Sequence, residues 1–461
     1  MFVKISLLIL ALMFSSFNVG YTASLEYEGL PAPIRSFFDD QYVKAYELIA
    51  DARHPQTGVY RDAYVLQGQR SLPSSVAATG VGLIALTIAH REGWEENVED
   101  QIIQTLRSMN GLEPRFTPDR EPKSGFFRHW IDPKTGARAW NSEYSTIDTA
   151  LLVSGALFAA NYFPENDEIR ELALKLYKSV DWEGAVADPK TGTLYMIVDE
   201  DGRGKALTRP FNEYVIVMNL ARLDPNNKMA QQTWGDVYAP QNLENMPQLN
   251  YFGHTILTDG SLLSSFVPQF VYYLVHEYTT SSVYQEYFQN AQGADKYDWN
   301  RRSNTPTYLW GHGAGTDDGL GGSGYEANAI GRNRFSIVSP YIIAGFLPVY
   351  PEGIYDLYDI YLHYLPYDSY ENPTDSVDTR RFRQSYKYGL KRFSLQYPRW
   401  YPNHMSVIDW SSMLYGLAAF KHGMTVFTDY TEFDRIIETG LFCCPNALIS
   451  PKRSLDVSMI P

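Results

Sequence analysis

The chain is poor in cysteine. Cys443 and Cys444 are its only two among 461 residues. Adjacent cysteines do not readily adopt ordinary disulfide geometry, so no internal staple is expected. No Cys/His cluster has metal-ligand spacing, which disfavours structural zinc; neither a metal nor a cofactor is expected. Positive charge is also short: 39 Lys and Arg face 53 Asp and Glu, a formal net charge of −14. Nucleic acid and anionic membrane surfaces both require a basic footprint, so neither is expected as a partner. Beyond the first two dozen residues no stretch is long and apolar enough to span a membrane. No Pro-rich or Gly/Ser linker and no long charge run divides the remainder.

The N-terminus has the layout of a secretory signal: Lys4, an apolar run from Ile5 to Phe14, then small and polar residues from Ser15 to Ser24. That run is the length of a signal core and too short for a spanning helix. Cleavage near Ala23 is expected, although Tyr21 fits the −3 position poorly. The expectation is therefore residues 1–23 as signal and 24–461 as one domain, exported to the periplasm or beyond. A mature chain of that size can hold together by its core alone. Aromatic residues make up 15% of the chain, with 35 Tyr, 23 Phe and 9 Trp. Some of these build core. An excess of Tyr and Trp also suits a cleft that stacks flat apolar faces beside hydrogen-bonding tips, and sugar rings are one ligand of that character.

Helix-period segments recur along the chain: 36–52, 74–91, 96–109, 145–162, 167–180, 211–222, 261–278, 282–293, 336–348, 352–364, 380–392, 406–422 and 430–439. Several, such as Ala77 to Ala89 and Thr149 to Ala160, are apolar on more than one face, as helices inside a large all-α body are. One turn repeats. His54-Pro55-Gln56-Thr57-Gly58 is echoed by Asp132-Pro133-Lys134-Thr135-Gly136 and by Asp188-Pro189-Lys190-Thr191-Gly192. In each, Pro sets φ and Gly supplies a positive φ. Each is followed by a short β-like piece (Val59 to Val65, Ala137 to Trp140, Thr193 to Val198) and then a buried-type helix. The expected fold is all-α, an (α/α)6 barrel with short β-hairpin decorations gathered at one mouth.

Three carboxylate positions stand at the starts of inner helices. Asp148 lies in Ser145-Thr146-Ile147-Asp148, which spacing alone reads as a capping box, with Glu143 favouring the helix dipole. Glu213 follows Pro210, which suits a first helical turn. Phe211 and Tyr214 flank it, and apolar walls raise a carboxyl pKa toward that of a general acid. Asp409 interrupts the apolar run after Ser406, as a cap or as a pocket acid beside Trp410. Residues alone leave cap and catalyst open at all three. The Gly-rich stretch from Gly311 to Tyr325 lacks the frame of a nucleotide site or a calcium loop and reads as a mobile loop over a cleft.

These pieces together resemble the glycoamylase-like domain family of bacterial β-1,2-glucan hydrolases. The residues that carry the resemblance are Ser74 to Gly80, Gly125-Phe126-Phe127-Arg128-His129-Trp130, Glu143 to Leu152, Asn212-Glu213-Tyr214, Trp310-Gly311 with Gly324-Tyr325, Ser339-Pro340-Tyr341 leading to Pro351-Glu352, and Ile408-Asp409. The resemblance implies an (α/α)6 barrel and inverting hydrolysis of β-1,2-glucan, with Glu213 as acid and Asp409 as base. It also implies that Asp148 and Glu143 line the sugar cleft. Trp130, Trp140, Trp310, Trp400 and Trp410 are candidate stacking platforms, at least two of them expected in the core instead; Tyr214 and Tyr325 join the candidate substrate contacts. The chain departs from the family at His312-Gly313-Ala314 and Trp410-Ser411, which bears on linkage and on endo or exo action. The partner expected is an oligo- or polysaccharide, a glucan by the resemblance, met by a monomer. Rival readings are an exo-acting sophorose-releasing enzyme, a hydrolase of another β-glucan, a polysaccharide lyase, and a non-catalytic glycan-binding barrel.

Overall fold

The computed structural model describes residues 25–66, 71–208, 210–317, 320, 324–364, 387–397, 400 and 402–437. The expected signal at 1–23, most of the helix expected at 380–392, and both cysteines lie outside them. In chain order, outer and inner helices alternate: α1 (Ala32–Ala52) outside, α2 (Val76–Glu92) inside, α3 (Val98–Met109) outside, α4 (Thr146–Tyr162) inside, α5 (Asp167–Lys178) outside and α6 (Val215–Arg222) inside. The alternation continues with α7 (Lys228–Thr233) outside, α8 (Phe266–Leu274) inside, the short α9 (His276–Thr280), α10 (Ser282–Asn300) outside, α11 (Pro340–Gly345) inside, α12 (Gly353–Tyr364) outside and α13 (Val407–His422) inside. A short α14 (Thr425–Thr431) follows.

The inner helices close a ring: α2 packs on α4, α4 on α6, α6 on α8, α8 on α11, α11 on α13, and α13 back on α2. This is the (α/α)6 barrel. Ring membership explains why α2 and α4 lack a polar face. Each is covered by neighbours and by an outer helix, so every residue from Val76 to Ala89 and nearly every one from Thr146 to Ala160 is buried. Outer helices are amphipathic, with Glu99 and Asp100 opening α3 and Arg107 near its end, and Asp167 and Glu168 opening α5 with Lys175 and Lys178 near its end. That order of charge complements the helix dipole. α2 and α4 cross at Gly80 and Gly155, where the backbones touch; a Cβ on either would strike main-chain atoms of the other helix.

One end of the barrel is sealed. Phe427 of α14 packs against Phe158, Tyr273 and Tyr415 at ring separations of 6.1, 4.9 and 5.2 Å. The other end carries the decorations. Gly58, Gly136 and Gly192 have φ of 73°, 77° and 69°, as the repeated turn requires. Thr57 Oγ1 donates to Pro133 O at 2.8 Å, so the first two turns touch. A further copy, Glu121-Pro122-Lys123-Ser124-Gly125, has Gly125 at φ 75°; Ser in place of Thr hid it from the pattern. Short antiparallel pairs tie the decorations to the helix starts, including Ala63–Val65 with His404–Ser406 and Tyr144–Ser145 with strand Thr193–Val198.

Four expectations change. Residues 387–392 are not helical, the helix expected over 336–348 is confined to α11, and that expected at 430–439 is preceded by α14. The Gly-rich stretch is not a mobile loop over its first half: Gly311 to Asp317 are all buried, packed against the start of α11 and, at Gly315, against Arg392. Its small residues fit close packing, as at Gly311, where a Cβ would strike the Ser339 carbonyl. Residues 318, 319 and 321–323 lie outside the description.

Candidate active site

Inner-helix N-termini face the open mouth, and two begin alike. A strand delivers a serine, the helix starts at the next residue, and an aspartate occupies its third position: Ser145 and Asp148 in α4, Ser406 and Asp409 in α13. In α4 the capping question resolves in both directions. Ser145 Oγ accepts the amide of Asp148 at 3.2 Å, but the Ser145 amide donates to Phe127 O instead. The Asp148 carboxylate is thus spared from capping and turns toward His129, with Oδ1 3.6 Å from Nε2. Nδ1 of the same ring meets Glu143 Oε1 at 3.0 Å. Burial opposes charge on His129, yet Asp148, Glu143 and Asp62 outweigh it and lift its pKa to about 9. The hydrogen bond from His129 in turn lowers the pKa of Glu143.

Glu213 does not sit within a helical turn. Phe211 has φ 60°, which no right-handed helix accommodates, so α6 starts only at Val215. Asn212 Oδ1 accepts the amide of Tyr214 at 2.9 Å and Glu213 O that of Ile216 at 3.1 Å. The loop presents Glu213 into a cavity of ≈ 450 Å³ with Tyr214, Asp259, Phe266 and Arg332 among its walls. Burial there raises its pKa to about 7; a backbone hydrogen bond opposes the rise, and Asp259 and Asp148 add to it.

Asp409 is 3% exposed. Tyr325 Oη donates to its Oδ1 at 3.1 Å, while Oδ2 is buried with no hydrogen-bond partner among the described residues. Burial raises its pKa to about 6 against the pull of Arg392, Ser406 and Tyr325, with Asp62 adding to the rise. Arg392 is itself buried beside Gly315 and Tyr341. In the ring of six, α6 and α13 stand three places apart. The two pKa-raised carboxyls therefore approach the mouth from opposite sides.

Asp62 is a site residue that sequence reasoning missed. It follows the first repeated turn, and its carbonyl accepts the first amide of α13. Its pKa is raised by burial, with Asp148 adding and His129 opposing, so it lies electrically between Asp148 and Asp409. The available signal was an acid inside a β-like piece that enters the mouth. His129 sat in a quoted motif without a role.

The tryptophans divide. His129 stacks on Trp130 at 3.8 Å, and Trp130 meets Trp140 edge-on at 5.1 Å. Trp140, 57% exposed at φ 53°, offers an open face. Trp310 and Trp410 are both 0% exposed, which overturns them as platforms. Trp310 Nε1 donates to Asp356 at 2.8 Å and Trp410 Nε1 to Ala45 O at 3.0 Å. Trp410 does not wall the Asp409 carboxyl, because consecutive helix residues point some 100° apart. Trp400 is half-buried.

No protein-family model matches the chain, and no curated protein sequence matches it. Solved structures do. An endo-β-1,2-glucanase from Chitinophaga pinensis, solved with sophorotriose and glucose, has a TM-score of 0.70 at 17% identity, covering 88% of this chain and 98% of that one. A β-1,2-glucanase from Parabacteroides distasonis has a TM-score of 0.67 at 15% identity, over 89% of this chain and 60% of that one. An endo-β-1,2-glucanase from Talaromyces funiculosus, in complex with sophorose, has a TM-score of 0.58 at 12% identity, over 89% and 88%. At these identities the likeness establishes the shared barrel fold, in agreement with the resemblance read from the motifs.

Proposed function

We propose that this protein is an inverting glycoside hydrolase of β-1,2-glucan, with Glu213 as general acid and Asp409 as general base. The observation that carries the reading is the pair of carboxyls on opposite sides of one barrel mouth, both with pKa raised to near neutrality. Glu213, at about 7, still holds its proton near pH 6 and delivers it to the leaving glycosidic oxygen. Asp409, at about 6, is about half ionised there and more so as pH rises toward 7. Its unpartnered Oδ2 takes a proton from water while that water attacks the anomeric carbon from the opposite face. Carboxyls set apart with room for water give inversion. Tyr325 holds Oδ1 and so leaves Oδ2 as the accepting atom. Asp148, Glu143 and His129 form a charged floor for sugar hydroxyls, and Trp140 with Trp130 supplies the stacking face.

The β-1,2 linkage is supported by the motif resemblance and by what the three solved neighbours act on. The same reading has the protein exported after cleavage near Ala23 and acting as a monomer. Among the described residues no helix is long and apolar enough to cross a membrane. The test is product analysis on a panel of linkage-defined glucans. Reducing ends released from β-1,2-glucan, and lost in Glu213→Gln, support the proposal. Release from another linkage alone overturns the substrate. Unsaturated products absorbing in the ultraviolet would make it a lyase, and binding without product a non-catalytic barrel.

A further inference from the structure

Arg392 is 1% exposed, yet its Nε, Nη1 and Nη2 all lack a hydrogen-bond partner among the described residues. A guanidinium is always charged and carries five donors. Buried polar groups are nearly always satisfied in native proteins, and an unpaired buried charge is strongly destabilising. A side chain kept at that cost acts on something nearby. Asp409 Oδ2 is also buried without a partner, and no charge acts on Asp409 more strongly than that of Arg392. The two groups are neighbours that do not hydrogen-bond to each other.

Packing fixes both groups. Gly315 lies against the guanidinium: a Cβ there would stand 2.3 Å from Nη1 and 3.1 Å from Tyr341 Oη. Tyr341 Oη donates to Ala314 O, which holds that side of the arginine in place. The strand Phe393–Ser394, which follows Arg392, pairs with Ile337–Val338. That strand leads into α11, and α11 packs on α13, the helix that carries Asp409. On the carboxylate side, Tyr325 Oη holds Oδ1 at 3.1 Å.

We propose that Arg392 is a positioning residue for the general base: its fixed charge keeps the buried Asp409 carboxylate ionised, while its standing off leaves Oδ2 free to accept a proton from water. A direct pair would achieve the first and lose the second, because a carboxylate bound to arginine gives up its basicity. The proposal rests on the reading of Asp409 as the base. The other titratable groups around Asp409 are Asp62, Tyr325 and Tyr341. Asp62, which itself faces His129 and His404, opposes ionisation of Asp409. Burial keeps both tyrosines neutral, so the charge that favours ionisation is that of Arg392.

The test compares the full-length parent with Arg392→Met, which replaces the charge by an unbranched apolar chain. With β-1,2-glucan as substrate, the acid limb of the kcat/KM profile should move up by about one pH unit. At pH 6 that leaves about fivefold less ionised base, so kcat should fall about fivefold there with KM unchanged. Scanning calorimetry reads the same coupling without turnover. At pH 4 Asp409 is protonated in both proteins, and removing an unpaired buried charge should leave Tm equal or higher in the variant. At pH 8 Asp409 is ionised and the variant lacks its counter-charge, so the variant's Tm should fall relative to the parent. In an Asp409→Asn background the difference should not change with pH. An unmoved acid limb, with the parent cleaving glucan, overturns the role of Arg392 and leaves Asp409 as base. A variant that fails to fold, or loses Tm at pH 4, makes Arg392 structural and also overturns it. A parent that cleaves no glucan overturns the hydrolase reading; a calorimetric difference that still changes with pH then keeps the coupling of Arg392 to Asp409, and one that does not overturns both.

Discussion

Replacing Glu213 by Gln removes one ionisable proton and little else, and two consequences of opposite sign follow from its proposed role and its burial. The first is catalytic. A positioned general acid typically contributes about 10²–10⁴-fold, so kcat should fall by that order. The second is a gain in stability that appears only where the native carboxyl is forced to ionise. Its pKa rises from 4.5 to about 7 on folding, so the folded state holds the proton more tightly than the unfolded chain. A tenfold change in that equilibrium is worth about 1.4 kcal/mol, which sets an upper figure of about 3 kcal/mol. Glu213 is only half-buried, and water in the mouth screens its charge, so about 1–2 kcal/mol is expected. The contribution is fully present below pH 4.5 and is lost as pH rises toward 7. For a chain of this size that corresponds to about 1–2 °C in Tm. Scanning calorimetry of parent and Glu213→Gln at pH 4 and pH 8 measures it, and effects common to both proteins cancel in the difference. The variant should gain on the parent between pH 4 and pH 8 while remaining inactive. A difference in Tm that does not change with pH would refute the claim that the fold holds Glu213 against its charge.

Other consequences follow from the same geometry. The kcat/KM profile should be bell-shaped with limbs at about 6 and about 7, set by ionised Asp409 and protonated Glu213; a plateau from pH 4 to 9 would contradict both roles. Tyr325→Phe removes a donor that lowers the Asp409 pKa, so its acid limb should move to higher pH and narrow the bell, and an unmoved limb would show that Tyr325 does not orient the base. Trp140→Ala should raise KM for glucan with Tm unchanged. Trp410→Ala, a large-to-small change in the core, should cost about 3–5 kcal/mol in denaturant unfolding, and equal behaviour of the two variants would erase the distinction between platform and core. Gly155→Val should give no soluble folded protein, because its side chain meets the backbone of α2 at Gly80; normal expression would mean the helices can separate there.

Much of the fold was readable in sequence because its signals are local. The apolar faces of α2 and α4, the Pro-x-Thr-Gly turns and the Ser145 cap each depend on a few neighbouring residues. The closed ring was inferred from repetition, and the shared barrel bears it out. What escaped was set at a distance. Phe211's positive φ, which bars the helix from beginning there, is a conformation that no propensity reports. Asp62 reaches the mouth only because its strand pairs with one more than 300 residues later. Trp310 and Trp410 look like Trp140 in composition, and only their indole partners, Asp356 and Ala45, place them in the core. The glycines of 311–315 looked like slack because sequence shows their small size and not the neighbours pressed against them.

The central claim is that Glu213 and Asp409 act from opposite sides of the mouth with water between. Proton NMR of the first sugar released from β-1,2-glucan, recorded before mutarotation, tests it most directly. The account predicts that the α-anomer appears first, in the wild type and in any variant with residual turnover. The β-anomer appearing first would require a covalent intermediate on one of these carboxylates and would contradict the assignment of Asp409 as a base.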